Sequence, residues 1–162
     1  MTKKFSMVLF FIIVTSCSKF EFVHDKSLKT NPLINNTSIY VGGDNIPILK
    51  TKLKENLGVP NNLNFQLSVS SKEETINIVK ESNMTASLIQ IKQSLVYELK
   101  LIEKNCIIVK KEISNSRKFN SKSGGYNFGS DLSKKEIKES LIEENLRQYL
   151  NYIAANYLVL EC

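Results

Sequence analysis

The sequence predicts an α+β fold: a two-layer sandwich in which a four-stranded, mainly antiparallel sheet carries two helices on one face. Three observations lead there. Residues Leu63–Ser70 alternate without a fault, with Leu63, Phe65, Leu67 and Val69 on one side and Asn64, Gln66, Ser68 and Ser70 on the other. That is the period-two pattern of a sheet covered on one side only. Two longer alternating runs are joined by the short turn Glu103-Lys104-Asn105, which makes them an antiparallel hairpin. Finally, two segments repeat apolar residues every three or four positions, and two such stripes suffice to cover one apolar sheet face.

In chain order the elements read β-α-β-β-β-α. Ser38–Val41 is short and β-prone, and Gly42-Gly43-Asp44-Asn45 supplies turn and cap residues before Pro47, a proline suited to the first helical turn. Leu49, Leu53 and Leu57 then recur every four residues until Gly58 and Pro60 close the helix. After the alternating Leu63–Ser70, residues Thr75–Val79 read either as a continuation of that strand or as a loop. Ile89, Ile91, Leu95, Tyr97, Leu99 and Leu101 share parity in a long strand, with Lys92, Ser94, Glu98 and Lys100 opposite. Cys106–Phe119 returns with Ile107, Val109, Ile113 and Phe119 on one face. Ser121–Asp131 is a Gly/Ser/Asn loop, and Ser133 with Glu136 has the spacing of a capping box. The last helix carries Ile137, Leu141, Ile142, Leu146, Tyr149, Leu150, Ile153 and Tyr157 on its apolar side.

Composition bounds the chemistry. The 162 residues are enough for one compact domain, 42% are hydrophobic and 23% charged, and mean hydropathy is −0.16, which excludes a multi-span membrane protein. The formal charge is +6, but Lys outnumbers Arg 20 to 2 while Asn and Ile each number 17. Those residues have A/T-rich codons, so the charge is weak evidence for an anionic partner. There is one histidine, His24, and the cysteines are Cys17, Cys106 and Cys162. No metal-ligand spacing, phosphate-binding glycine loop or nucleophile elbow is present. The chain is therefore expected to be no enzyme and to need no metal or cofactor.

The N-terminus reads as an address. Lys3 and Lys4 precede the apolar run Phe5–Val14, and Thr15-Ser16-Cys17 follows at once, the parts of a secretory signal. Ten helical residues reach about 15 Å, half of a hydrocarbon core. The ending Val14-Thr15-Ser16-Cys17 resembles the lipobox of bacterial lipoproteins, which makes Cys17 the lipidated first residue of the mature chain. Ser18 in place of Asp points that resemblance to the outer membrane. The expected organisation is a signal peptide over 1–16, a lipidated tether over 17–37 and a single domain over 38–162. Removing 1–16 takes Lys3 and Lys4 away and lowers the charge from +6 to +4. Cys106 reads as a small buried side chain, or as the partner of Cys162 in an oxidising compartment. Secretion also removes the chain from nucleic acid, which is not expected as a partner.

Taken together, the lipobox cysteine, the strand–helix start through Leu57, the long hairpin Leu88–Phe119 with Arg117 near its end, the Tyr126-Asn127 loop followed by Ser130, and the terminal helix resemble the LPS-assembly lipoprotein LptE family in its alphaproteobacterial form. Family members carry Gly and an aromatic directly after the cysteine, where this chain has Ser18-Lys19-Phe20. The resemblance implies a non-catalytic lipoprotein that plugs the outer-membrane β-barrel LptD, helps it assemble and contacts lipopolysaccharide. By position it implies Lys80 and Lys134 as lipopolysaccharide contacts, with Arg117 and Lys118 as further candidates. The plainer reading of Lys80 and Lys134 is a solvated lysine, and Arg117 can equally pair with a carboxylate. A second reading of the whole chain is an auxiliary lipoprotein of a lipid-transport ABC system, which an inner-membrane partner would distinguish.

Overall fold

The computed structural model describes residues 31–80, 86–120, 128–156 and 162. Its elements are β1 (Thr37–Gly43), α1 (Ile46–Leu57), β2 (Phe65–Lys80), β3 (Ala86–Leu101), β4 (Cys106–Asn120) and α2 (Phe128–Asn156). The four strands form one sheet in the order β1-β2-β3-β4. β1 runs parallel to β2, while β2–β3 and β3–β4 are antiparallel. The expected α+β sandwich and its element order are what the chain adopts.

Strand register divides the sheet into two faces. Leu67 of β2, Leu99 of β3 and Val109 of β4 stand side by side, as do Val69, Tyr97 and Lys111. Both helices cover this side: Leu49, Leu53 and Leu57 of α1 and Ile142, Leu146, Tyr149, Leu150 and Ile153 of α2 share one core with the inward residues of the sheet. Each of these is a Leu, Ile or Tyr at helical spacing, and burying such a side chain contributes about 1.5–3 kcal/mol. No helix among the described residues lies on the other face. Ser68, Ser70, Lys72 and Glu74 of β2, Lys92, Ser94, Val96 and Glu98 of β3, and Lys110, Glu112, Ser114, Ser116 and Lys118 of β4 lie there, none of them buried.

Several expectations need correction. The stretch read as a tether through residue 37 ends earlier, because residues 31–37 pack onto the domain. Leu33 is in the core, Asn31 donates from Nδ2 to the Leu150 carbonyl at 3.1 Å, and Thr37 Oγ1 donates to the Leu33 carbonyl at 2.8 Å. β2 continues through Thr75–Val79 to Lys80. There the inward parity holds Thr75 and Asn77 while Ile76 points to the uncovered face, which is why the alternation looked broken. α2 begins at Phe128, so Ser133 lies in its second turn and not at its N-cap. Asn45 does precede α1 but makes no side-chain cap; its amide is used elsewhere.

The turn between β1 and α1 is fixed by close backbone approach. Gly43 has φ 88°, and a Cβ there would fall on the Ser71 carbonyl oxygen, so only glycine fits. Asp44 N then donates to Ser71 O at 2.9 Å, and Asp44 Oδ2 accepts from Glu73 N at 2.8 Å. At the far end of the chain Cys162 is disulfide-bonded to Cys106, which settles the alternatives left open for Cys106.

Candidate functional site

The four basic residues singled out by position share one end of the molecule but not one surface. Lys80 is the last residue of β2, paired in register with Ala86. Lys118 lies near the end of β4 opposite Gln90. Lys134 stands in the second turn of α2 and is half-buried. Because α2 begins at Phe128, this lysine is not at the helix terminus, and the dipole opposes it less than a terminal cation. Cys17 lies outside the described residues, as do Tyr126 and Asn127.

Arg117 and Lys118 are neighbours on one strand and therefore face opposite ways. Arg117 is on the helix side, where its guanidinium donates to Ser140 Oγ at 3.0 Å and lies 3.6 Å from Glu144 Oε2. It holds α2 to β4, which is the carboxylate pairing weighed for it. Lys118 is exposed on the uncovered face and has no ion-pair partner among the described residues. Two cations of that face are matched, while Lys92 makes no ion pair among the described residues. Lys72 lies 2.7 Å from Glu74, and this contact raises the lysine pKa and holds the Glu74 carboxyl below its ordinary value. Lys110 lies 3.7 Å from Glu98.

The row that contains Lys118 is distinctive. Ile76, Gln90 and Lys118 lie side by side across three strands, and Ile76 and Ile78 are exposed. Gln90 Nε2 donates to Ser116 Oγ at 2.9 Å in the neighbouring row. An exposed aliphatic pair beside an unmatched ammonium suits an amphiphile with an anionic head and apolar chains. The sequence carried this signal: the apolar parity of β2 inverts after Glu73, from Phe65, Leu67 and Val69 to Ile76 and Ile78.

Behind this end lies a polar layer that sequence reasoning missed. Gln93 sits within the inward apolar stripe of β3 and is fully buried, as is Asn145 of α2. Gln93 Nε2 donates to Ser71 Oγ at 2.7 Å, and Asn145 Nδ2 donates to the Gln93 carbonyl at 3.2 Å. Asn45 Nδ2 donates to Glu73 Oε2 at 2.6 Å, and Lys138 Nζ lies 2.7 Å from Glu73 Oε1. The layer ties the start of α1, the middle of α2 and two strands together beneath the sheet end. Its mark in the sequence is the polar residue at position 93, between Ile91 and Leu95.

No protein-family model and no curated protein matches the chain. Solved structures do. Rare lipoprotein B from Shewanella oneidensis superposes with a TM-score of 0.56 at 10% identity, covering 78% of this chain and 100% of that one. Lipoprotein B from Nitrosomonas europaea gives 0.55 at 10% identity, covering 75% of this chain and 84% of that one. A Caulobacter crescentus protein provisionally named a lipoprotein gives 0.58 at 13%, covering 83% and 94%. At these identities the likeness shows a shared fold. No helix among the described residues is long and apolar enough to cross a membrane.

Proposed function

We propose that the chain is a non-catalytic lipoprotein of the LptE type: acylated at Cys17, held at the outer membrane, and seated in the β-barrel LptD, whose assembly it assists. The observation that carries this reading is the fold shared with rare lipoprotein B over the full length of that protein, joined to the lipobox ending at Cys17. The uncovered sheet face supports it. Its serines, glutamines and matched ion pairs suit contact with the polar interior of a large barrel. The row Ile76–Gln90–Lys118 supports lipopolysaccharide as the lipid met there, the ammonium facing a lipid A phosphate and the isoleucines facing acyl chain. Lys80, the last residue of β2, and Lys134, in the second turn of α2, belong to the same end of the molecule.

The test is affinity purification of the tagged lipoprotein from detergent-extracted outer membranes, with surface lipopolysaccharide measured after depletion. The expected result is a large barrel in the eluate and less lipopolysaccharide at the cell surface. An eluate holding an inner-membrane transport complex in place of a barrel would overturn the reading in favour of an ABC-system auxiliary.

A further inference from the structure

The opposite end of the molecule carries exposed aliphatic side chains among the polar residues Asn61, Asn62, Asn64, Glu103, Lys104 and Asn105, and residues 32 and 36, near the start of the described chain, lie there. Register places the start of β1 (Thr37), the start of β2 (Phe65), the end of β3 (Leu101) and the start of β4 (Cys106) together. Two connections cap this end, the α1–β2 loop and the β3–β4 turn, and Ile102 N joins them by donating to Asn64 O at 3.0 Å. Exposed aliphatic side chains lie on them and on the adjoining start of β4: Val59 is 79% exposed, Leu63 59% and Ile102 39% on the connections, and Ile107 of β4 55%. Leu63 and Ile102 line an open groove of about 430 Å³ with Pro32, Asn36, Phe65 and Leu101. Pro32 and Asn36 belong to the first segment of the folded domain. Nothing in the core requires these four aliphatics, and loops ordinarily carry polar residues at such positions.

We infer that this end docks on the phospholipid surface to which Cys17 is attached, with Val59, Leu63, Ile102 and Ile107 entering the headgroup–acyl boundary. The inference rests on the lipid-anchor part of the proposed function. Only residues 18–30 separate Cys17 from Asn31, a span of at most about 50 Å even when fully extended. The anchor therefore keeps this end within reach of the bilayer, where exposed aliphatics gain by leaving water. Lys104, exposed in the same turn, adds a cation suited to anionic headgroups. In this orientation the row Ile76–Gln90–Lys118 points away from the anchoring leaflet.

The chain contains no tryptophan, so single substitutions report position directly. Leu63→Trp, Ile102→Trp and, on the uncovered sheet face, Tyr40→Trp are made in the mature acylated protein. Each is reconstituted into phosphatidylethanolamine/phosphatidylglycerol vesicles with and without lipids brominated near the headgroup. The expected result is a blue-shifted emission and strong quenching by brominated lipid for Leu63→Trp and Ile102→Trp, with neither for Tyr40→Trp. Vesicle-bound protein in which Leu63→Trp and Ile102→Trp emit as in water would overturn the docking surface and leave the anchor intact. Equal quenching at all three positions would overturn the orientation. Mass spectrometry of the same samples separates the premise: Cys17 without acyl chains removes the anchor and the docking inference with it.

Discussion

Lys138 of α2 and Glu73 of β2 form an ion pair at 2.7 Å in which the carboxylate's second oxygen accepts from Asn45 at the start of α1. One acidic side chain thereby holds both helices to the sheet. The Glu73 side chain is only 15% exposed, so removing one partner leaves polar groups short of water. Glu73→Ala is expected to cost about 2 kcal/mol. In a double-mutant cycle with Lys138→Met, the two residues should couple by about 1 kcal/mol or more, measured by chemical denaturation. Additive losses would mean that the pair does not join the elements.

Tyr97 and Tyr149 stack with ring centroids 4.0 Å apart, and neither hydroxyl has a partner among the described residues. Burial, and secondarily a neighbouring tyrosine, raises both phenols above the ordinary 10.0. Stability linked to them is complete below the unfolded phenol's value and drains as pH rises above it. The unfolding midpoint should fall between about pH 9 and about pH 11 in the wild type, and fall less in the Tyr97→Phe/Tyr149→Phe protein. At neutral pH the double variant keeps the stack and loses two orphaned hydroxyls, so its stability should be equal or higher by up to about 1 kcal/mol.

Cys106 and Cys162 are linked across a sequence separation of 56. The bond ties the end of the chain to the first residue of β4 and restricts the unfolded chain. Reduction, or Cys162→Ala, is expected to destabilise by about 2–4 kcal/mol. Thermal melts with and without reductant should differ for the wild type and coincide for the alanine variant.

Arg117 and Lys118 separate packing from ligand contact. Arg117→Ala removes an exposed ion pair and a hydrogen bond to Ser140, a loss of about 1 kcal/mol or less. Lys118→Glu leaves the packing untouched and reverses the charge beside Ile76. Lipopolysaccharide retained by the purified protein should drop several-fold for Lys118→Glu at an unchanged melting temperature. Arg117→Ala should retain the wild-type amount.

Much of the fold was legible because hydrophobic period is local information. Leu49, Leu53 and Leu57 marked α1, and the parities of Phe65–Val69 and Leu95–Leu99 assigned their inward faces. What failed had competing local meanings. Ser133 and Glu136 have the spacing of a cap, yet the helix begins five residues earlier, at Phe128. Asn31 and Leu33 sit in a stretch without period, and only their tertiary partners, the Leu150 carbonyl and the core, reveal that they fold. The site was legible in part. The scarcity of arginine drew notice to Arg117, but only strand register shows that it faces α2 while Lys118 faces outward. Ile76 gained meaning once Gln90 and Lys118 stood beside it, a relation between three strands that no sequence window contains.

The proposed function has the uncovered sheet face meeting an outer-membrane barrel. A photo-crosslinking amino acid at Glu112, which is exposed on that face, tests it in intact cells. One dominant adduct is expected, formed with a large outer-membrane β-barrel and retained after separation of the two membranes. An adduct with an inner-membrane transport complex, or no barrel adduct from this face, would contradict it.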